Sequence, residues 1–348
     1  MLLRLIGVLG VFLAPGSLIG FSAEPLFPIL ATTVTVEKPT TLSELLKRVE
    51  NQSGLKVEVG TLDADAVVPA AGKKPFWELL ESVAATTNTH LAINGASKSI
   101  AFAAGRSATA ASLEGPFRIS NKSITAKIDG VTGQSGYVVA LDVHWEPRFP
   151  VFRMDAQPRI TSAKDDLGNA LRVRETSVKT AITGYSHTAE VRVEGLTRKA
   201  GAVAALAGEF TVTASPKMLA FAFDDLSTLP VTKQLDGVKA TITKVLKREE
   251  VWEIQLTVEY PNPPPAFESF ESWTNHNTFQ LVPPNKRAGV VIVNSDITSN
   301  DRVITAAYRF SQKAVDLANR KGWSIVCESP APLVEFSLPF RLKDLKLP

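Results

Sequence analysis

Two stretches of this chain, more than a hundred residues apart, alternate in the same way. In "GYVVALDVHWEP", residues 136–147, Tyr137, Val139, Leu141, Val143 and Trp145 fall on one side of an extended chain, with Asp142 and His144 on the other. In "VWEIQLTVEYPNP", residues 251–263, Trp252, Ile254, Leu256, Val258 and Tyr260 alternate with Glu253, Gln255, Thr257 and Glu259. A period of two is the mark of a strand with one buried and one solvated face. Leu141, Val143 and Trp145 match Leu256, Val258 and Tyr260 at a constant offset of 115, and both strands run into proline. The preceding strand is matched at an offset of 114, Ile124, Ala126 and Ile128 against Val238, Ala240 and Ile242. Further on, "AEVRVEG" resembles "AAYRFSQ", "GEFTVTAS" resembles "VEFSLPF", and "FAFDDLSTLP" at 221–230 resembles the closing "FRLKDLKLP" at 340–348. Matches that recur in one order mark an internal repeat.

The repeat predicts two copies of one β-domain, residues 116–230 and 235–348, each with about seven short strands. Turns such as "DDLGN" (165–169) and "PPNKRAG" (283–289) separate them. Antiparallel alternation over this length resembles tandem immunoglobulin or fibronectin type III sandwiches of bacterial exported proteins, with Trp145 and Trp252 in the cores. A short helix is expected at 312–320.

Ahead of the repeat, residues 24–105 mix helix and strand. Leu42, Leu45, Leu46 and Val49 form a one-sided helical stripe, capped by Thr41 or Ser43 and stopped at Gly54. Phe76, Leu79, Leu80 and Val83 repeat the pattern behind Pro75. "LKVEV", "THLAI" and "KSIAFAA" read as strands, the last two joined at Asn94-Gly95. "LSELLKRVENQSGLKVEV", "ADAVVPAAGKKPFWELLESVAATTNTHLAI" and "KSIAFA" together resemble the secretin and TonB N-terminal short domain of bacterial envelope proteins. The resemblance implies a periplasmic contact module, with Trp77 either in the contact or in the core; no barrel sequence follows it. The expected fold class is therefore a small α+β module, two helices on a small sheet, followed by two mainly-β immunoglobulin-like sandwiches. Residues 106–115, small and aperiodic, read as the linker.

Residues 1–23 carry Arg4, an apolar run from Leu5 to Ala14 and small residues at Ser22 and Ala23, the layout of a secretory signal cut before Glu24. The alternative is an uncleaved anchor. Export fits a bacterial periplasm or cell exterior, because Cys327 is the single cysteine and no internal disulfide can form. A net charge of +3 over 348 residues, with no basic run, excludes a nucleic-acid footprint.

Chemistry is sparse. His90, His144, His187 and His276 stand apart, without metal-ligand spacing, and His144 reads as solvated. Cys327 shares a face with Trp323 and Ile325 and reads as a buried thiol. Asp165-Asp166 and Asp224-Asp225 place adjacent carboxylates on opposite faces, which suits turns rather than acid–base pairs. No nucleophile elbow or phosphate loop is present, so no catalytic, metal or cofactor residue is assigned and no cofactor is expected. Phe267, Phe270 and Trp273, spaced by three after a proline run, form a candidate partner- or glycan-binding rim, with Phe149 and Phe152 in the first copy. The reading is a non-enzymatic envelope scaffold that binds a protein partner. The alternative is an exported hydrolase or carbohydrate-active protein with its site at a domain junction.

Overall fold

The structure is a computed structural model and describes residues 27–348 except 96, 98, 129, 130, 132–134, 175, 177, 198, 263–275, 285–288 and 301. The front of the chain runs β1 (Thr33–Val36), β2 (Thr40–Thr41), α1 (Leu42–Ser53), β3 (Val57–Glu58), β4 (Val67–Val68), β5 (Gly72–Pro75), α2 (Phe76–Thr86), β6 (Thr89–Asn94) and β7 (Ser99–Ala104). Helix α1 starts where Thr41 Oγ1 accepts the Glu44 N–H and stops at Gly54, whose φ of 70° is left-handed. The stripes of both helices share one core with Val34, Val36, Ile100 and Phe102.

The expected fold class does not hold. The chain is 56% strand and 8% helix, and the two helices do not lie on one small sheet. The front strands form three separate ladders, β1-β5, β2-β4 and β3-β7-β6. With β2, β3 and β4 only two residues long, none extends far enough to join its neighbours.

The next segment contributes β8 (Ser112–Glu114), β9 (Phe117–Ile128), β10 (Ser135–Trp145), β11 (Val151–Asp155), β12 (Arg159–Asp165), β13 (Arg172–Arg174), β14 (Lys179–Ala181), β15 (Ser186–Glu194) and β16 (Ala202–Ala214). The last contributes β17 (Met218–Phe223), β18 (Val231–Leu235), β19 (Val238–Lys247), β20 (Val251–Glu259), β21 (Thr278–Val282), β22 (Asn294–Asn300), β23 (Val303–Ser311), β24 (Ser324–Pro330) and β25 (Val334–Lys346). Two five-stranded antiparallel sheets result, β13-β15-β10-β9-β8 and β22-β23-β20-β19-β18, with the same strand order. The β9-β10 and β19-β20 hairpins carry a bulge at the same rung. Lys122 is the extra residue opposite Ala140/Leu141, and Thr243 is the extra residue opposite Gln255/Leu256. Lys122 and Thr243 are 121 apart, so β9 and β19 correspond at that offset rather than at 114. Alternation repeats every two residues and hides such a slip, because the bulge absorbs its odd residue.

The second sheets exchange strands. The closing strand β25 pairs with β16 along its whole length, from Ala202↔Lys346 to Ala214↔Val334. Strand β17 pairs with β24, from Met218↔Pro330 to Phe223↔Ile325. The register is the same on both sides of the crossing, where the Ala331 N–H donates to Lys217 O (2.9 Å) and the Ser215 hydroxyl donates to Ala331 O (3.0 Å). Residues 202–223 and 325–346 are thus one antiparallel ribbon through both sandwiches. In this ribbon Phe221 faces Cys327 and Phe340 faces Gly208.

The cores follow the exchange. Leu219, Phe221 and Phe223 lie in the second core with Leu256, Tyr308 and Phe310. Leu338, Phe340, Leu342 and Leu345 lie in the first with Leu141, Trp145 and Phe210. Two sandwiches succeeding one another along the chain are therefore not what forms. "GEFTVTAS" and "VEFSLPF" are not equivalent strands either; they are paired to each other. The expected helix at 312–320 is a looped turn, with the Ala314 and Val315 amides both returning to Ser311 O. Among the described residues no helix is long and apolar enough to cross a membrane.

Candidate functional site

The seam between the front residues and the first sandwich holds the most buried polar chemistry. Trp77 is 1% exposed and its indole N–H donates to Pro116 O at 2.9 Å, which makes it core rather than partner contact. Arg118 of β9 meets Glu81 of α2 at 2.6 Å. Glu146, fully buried, accepts the Thr32 N–H at 3.0 Å and the Arg148 Nε–H at 2.7 Å, and Arg148 also donates to Leu30 O. Gly95 sits so close to Ser186 that an added Cβ would lie 2.2 Å from its hydroxyl. Between these contacts His144, on the outer face of β10, is covered. Burial, and then the Arg118 charge, pull its imidazole down to about 4. The expectation that it is solvated fails: its cross-strand neighbours Arg118 and Ser186 are met by Glu81 and Gly95, from elements more than 45 residues upstream in the chain. Nothing in the alternation of β10 signals that cover.

A cleft of about 320 Å³ lies where the two sandwiches meet, lined by Arg148, Phe149, Tyr185, Met218, His276 and Glu328 among others. His276 stands edge-on to Phe152 at 5.0 Å, and Asn277 Nδ2 donates to the Tyr308 hydroxyl at 2.8 Å. The Arg148 guanidinium is already engaged by Glu146 and Leu30, and Glu328 accepts from the Thr278 hydroxyl at 3.1 Å. Glu328 is the one carboxylate lining the cleft among the described residues, so no facing acid pair is brought together there. Phe267, Phe270 and Trp273 lie outside the described residues. Phe149 and Phe152 are buried, at 0% and 2% exposure, and serve the two cores.

The open side of the second sandwich offers a different surface. Val290 N bonds to Leu281 O of β21 at 2.9 Å and Val293 N to Arg309 O of β23 at 2.8 Å, so residues 290–293 bridge the edges of the two sheets. Val290 and Ile292 pack inward on the core, while Val291 and Val293 are 83% and 58% exposed. The chain then enters β22, whose register with β23 is unbroken from Asn294↔Arg309 to Asn300↔Val303. No strand pairs with its other side among the described residues. Asp296 is held by Arg309, which also meets Glu253 at 3.1 Å, so the charges on this outer face are mutually satisfied.

The remaining chemistry-bearing residues are spent locally. Cys327 is 2% exposed, and burial pushes its thiol up to about 12. Asp165 accepts the Leu167 and Asn169 amides and Asp225 the Ser227 amide, each closing a turn, while Asp166 accepts the Gly201 amide from the approach to β16. His90 Nδ1 contacts Gly105 O at 2.9 Å. Among the described residues no three His, Cys, Asp or Glu side chains group as metal ligands. Compared with known proteins, the chain matches no family model, no curated protein and no solved structure.

Proposed function

We propose that this chain is an exported cell-envelope protein that acts by binding, as a scaffold whose protein contact is made on the open side of the second sandwich. The observation that carries the reading is the pair Val291 and Val293, large apolar side chains exposed beside a strand edge that no described residue pairs. Exposed β-branched side chains next to free backbone donors and acceptors suit a partner that adds an extended segment. In the front segment Trp77, Glu81 and Thr32 are committed to the seam with the first sandwich. Export rests on the layout of residues 1–23, and the envelope assignment on the resemblance of the front segments to the secretin and TonB short domain.

The test uses residues 24–348 as bait in bacterial envelope extract, beside the Val291→Asp/Val293→Asp variant. A partner captured by the parent and lost by the variant, with an unchanged melting curve, supports the reading. Equal capture by both removes this surface from it. Mass spectrometry of exported protein should find an N-terminus near Glu24.

A further inference from the structure

Every sheet in the molecule ends somewhere, and most ends are blunted. Strands β13 and β14 are three residues long, and β8, also three, runs beside β25, whose Arg341 N–H bonds to Ser112 Oγ at 3.1 Å. Strand β12 breaks register twice, and β18 carries Lys233 beside β19. Strand β21 is closed by its bridge to Val290. These are the usual devices against edge-to-edge pairing. Strand β22 has none of them: seven residues, continuous register, no proline, no lysine and no bulge.

Its sequence also reads nearly the same in both directions. Around Ile297 stand Asp296 and Thr298, then Ser295 and Ser299, then Asn294 and Asn300. An antiparallel strand meets its own copy in reverse order, so a two-fold axis at Ile297 would set Asn against Asn, Ser against Ser and each Asp296 against a Thr298. The only charged residue in the strand thereby avoids its own copy. Ile297, half-buried against the core, would meet Ile297 across the axis. Residues 294, 296, 298 and 300 lie on the outer face, as the pairing of Asp296 with Ala307 and of Asn294 with Arg309 places them.

We infer that two copies of this chain associate through β22, edge to edge and antiparallel about Ile297, joining their five-stranded sheets into one. The occupant is a second copy rather than an unrelated peptide because the self-complementary order of residues is a property only a symmetric pairing uses. Seven residues of edge make a small interface, so the dimer is reversible and concentration-dependent rather than obligate. The inference rests on the binding reading of the same open side.

Sedimentation velocity of residues 24–348, from micromolar to submillimolar protein, tests it with two substitutions at one exposed position. Thr298→Asp places Asp against Asp296 twice across the axis and weakens the dimer roughly fivefold; Thr298→Lys places Lys against Asp296 twice and tightens it roughly fivefold. Lysine on an edge ordinarily blocks pairing, so tightening by Thr298→Lys is specific to this register. A parent that stays monomeric throughout overturns the inference, as do two variants that shift the equilibrium in the same direction. Partner capture retained by a monomeric parent would sink the dimer alone; a dimer that captures nothing would sink the partner-binding reading alone.

Discussion

Replacing Phe340 by alanine should destabilise the sandwich built from the earlier half of the repeat, although Phe340 lies more than a hundred residues downstream of that half's central strands. Its side chain is 1% exposed and lies in the first core, with its ring centroid 5.7 Å from that of Phe210. Its cross-strand neighbour is Gly208, which has no side chain to swing into the space. Truncating a buried phenylalanine costs about 3–5 kcal/mol, and a site that cannot collapse falls in the upper part of that range. We expect about 4 kcal/mol, a large share of the roughly 5–15 kcal/mol that holds a domain folded. Hydrogen exchange read by mass spectrometry should show protection lost over 117–214 and 334–346 and kept over 238–330. A double-mutant cycle in urea with Phe210→Ala should give a coupling of about 1 kcal/mol, while Phe310→Ala in the other core should add within about 0.5 kcal/mol. Protection lost first over 238–330, or coupling to Phe310 instead of Phe210, would refute the strand exchange.

Two other perturbations probe the seam. Because the folded chain holds His144 at about 4, against an ordinary 6.5, the unfolded chain binds the proton more tightly between those values. Stability from this group is therefore complete above pH 6.5 and lost as the pH falls to about 4, by on the order of 3 kcal/mol. Arg118, Lys122 and Asp142 are the charged groups facing the ring, and His144→Gln should flatten that part of the urea-midpoint profile; an unchanged slope would assign the pH dependence elsewhere. Glu146→Ala strands the Arg148 guanidinium and the Thr32 amide and should cost about 2–3 kcal/mol, with faster exchange over residues 30–36. Unaltered exchange there would mean that Glu146 does not hold the front segment.

Local features were legible in the sequence. The alternation of residues 137–145 and 252–260 placed both central strands and their inward tryptophans, Trp145 and Trp252. Thr41 and Gly54 marked the ends of α1 because capping is settled within four residues. The partner of the closing strand was not legible. β17 and β25 present the same apolar alternation, and nothing in that alternation marks which core each strand enters. His144 and Glu146 were missed for a related reason: their cover arrives from Glu81, Gly95 and Thr32, and a strand pattern carries no record of what docks on its polar face. The edge β22 was likewise unremarkable as sequence, and its palindrome acquires meaning only once its other side is seen to be unpaired among the described residues.

The ribbon also sets an order of events during synthesis. Strand β17 leaves the ribosome before any of the sheet that it will join has been made, and it must wait for β24, about a hundred residues later. The first sandwich waits longer, since Phe210 meets Leu338 only after residue 338 has been made. A nascent chain ordinarily folds from its N-terminal end. Here the second sandwich can close first, and the earlier-made core stays open along β16, with Leu206, Phe210 and Val212 at its unfinished edge, until the last strand comes back to cover it.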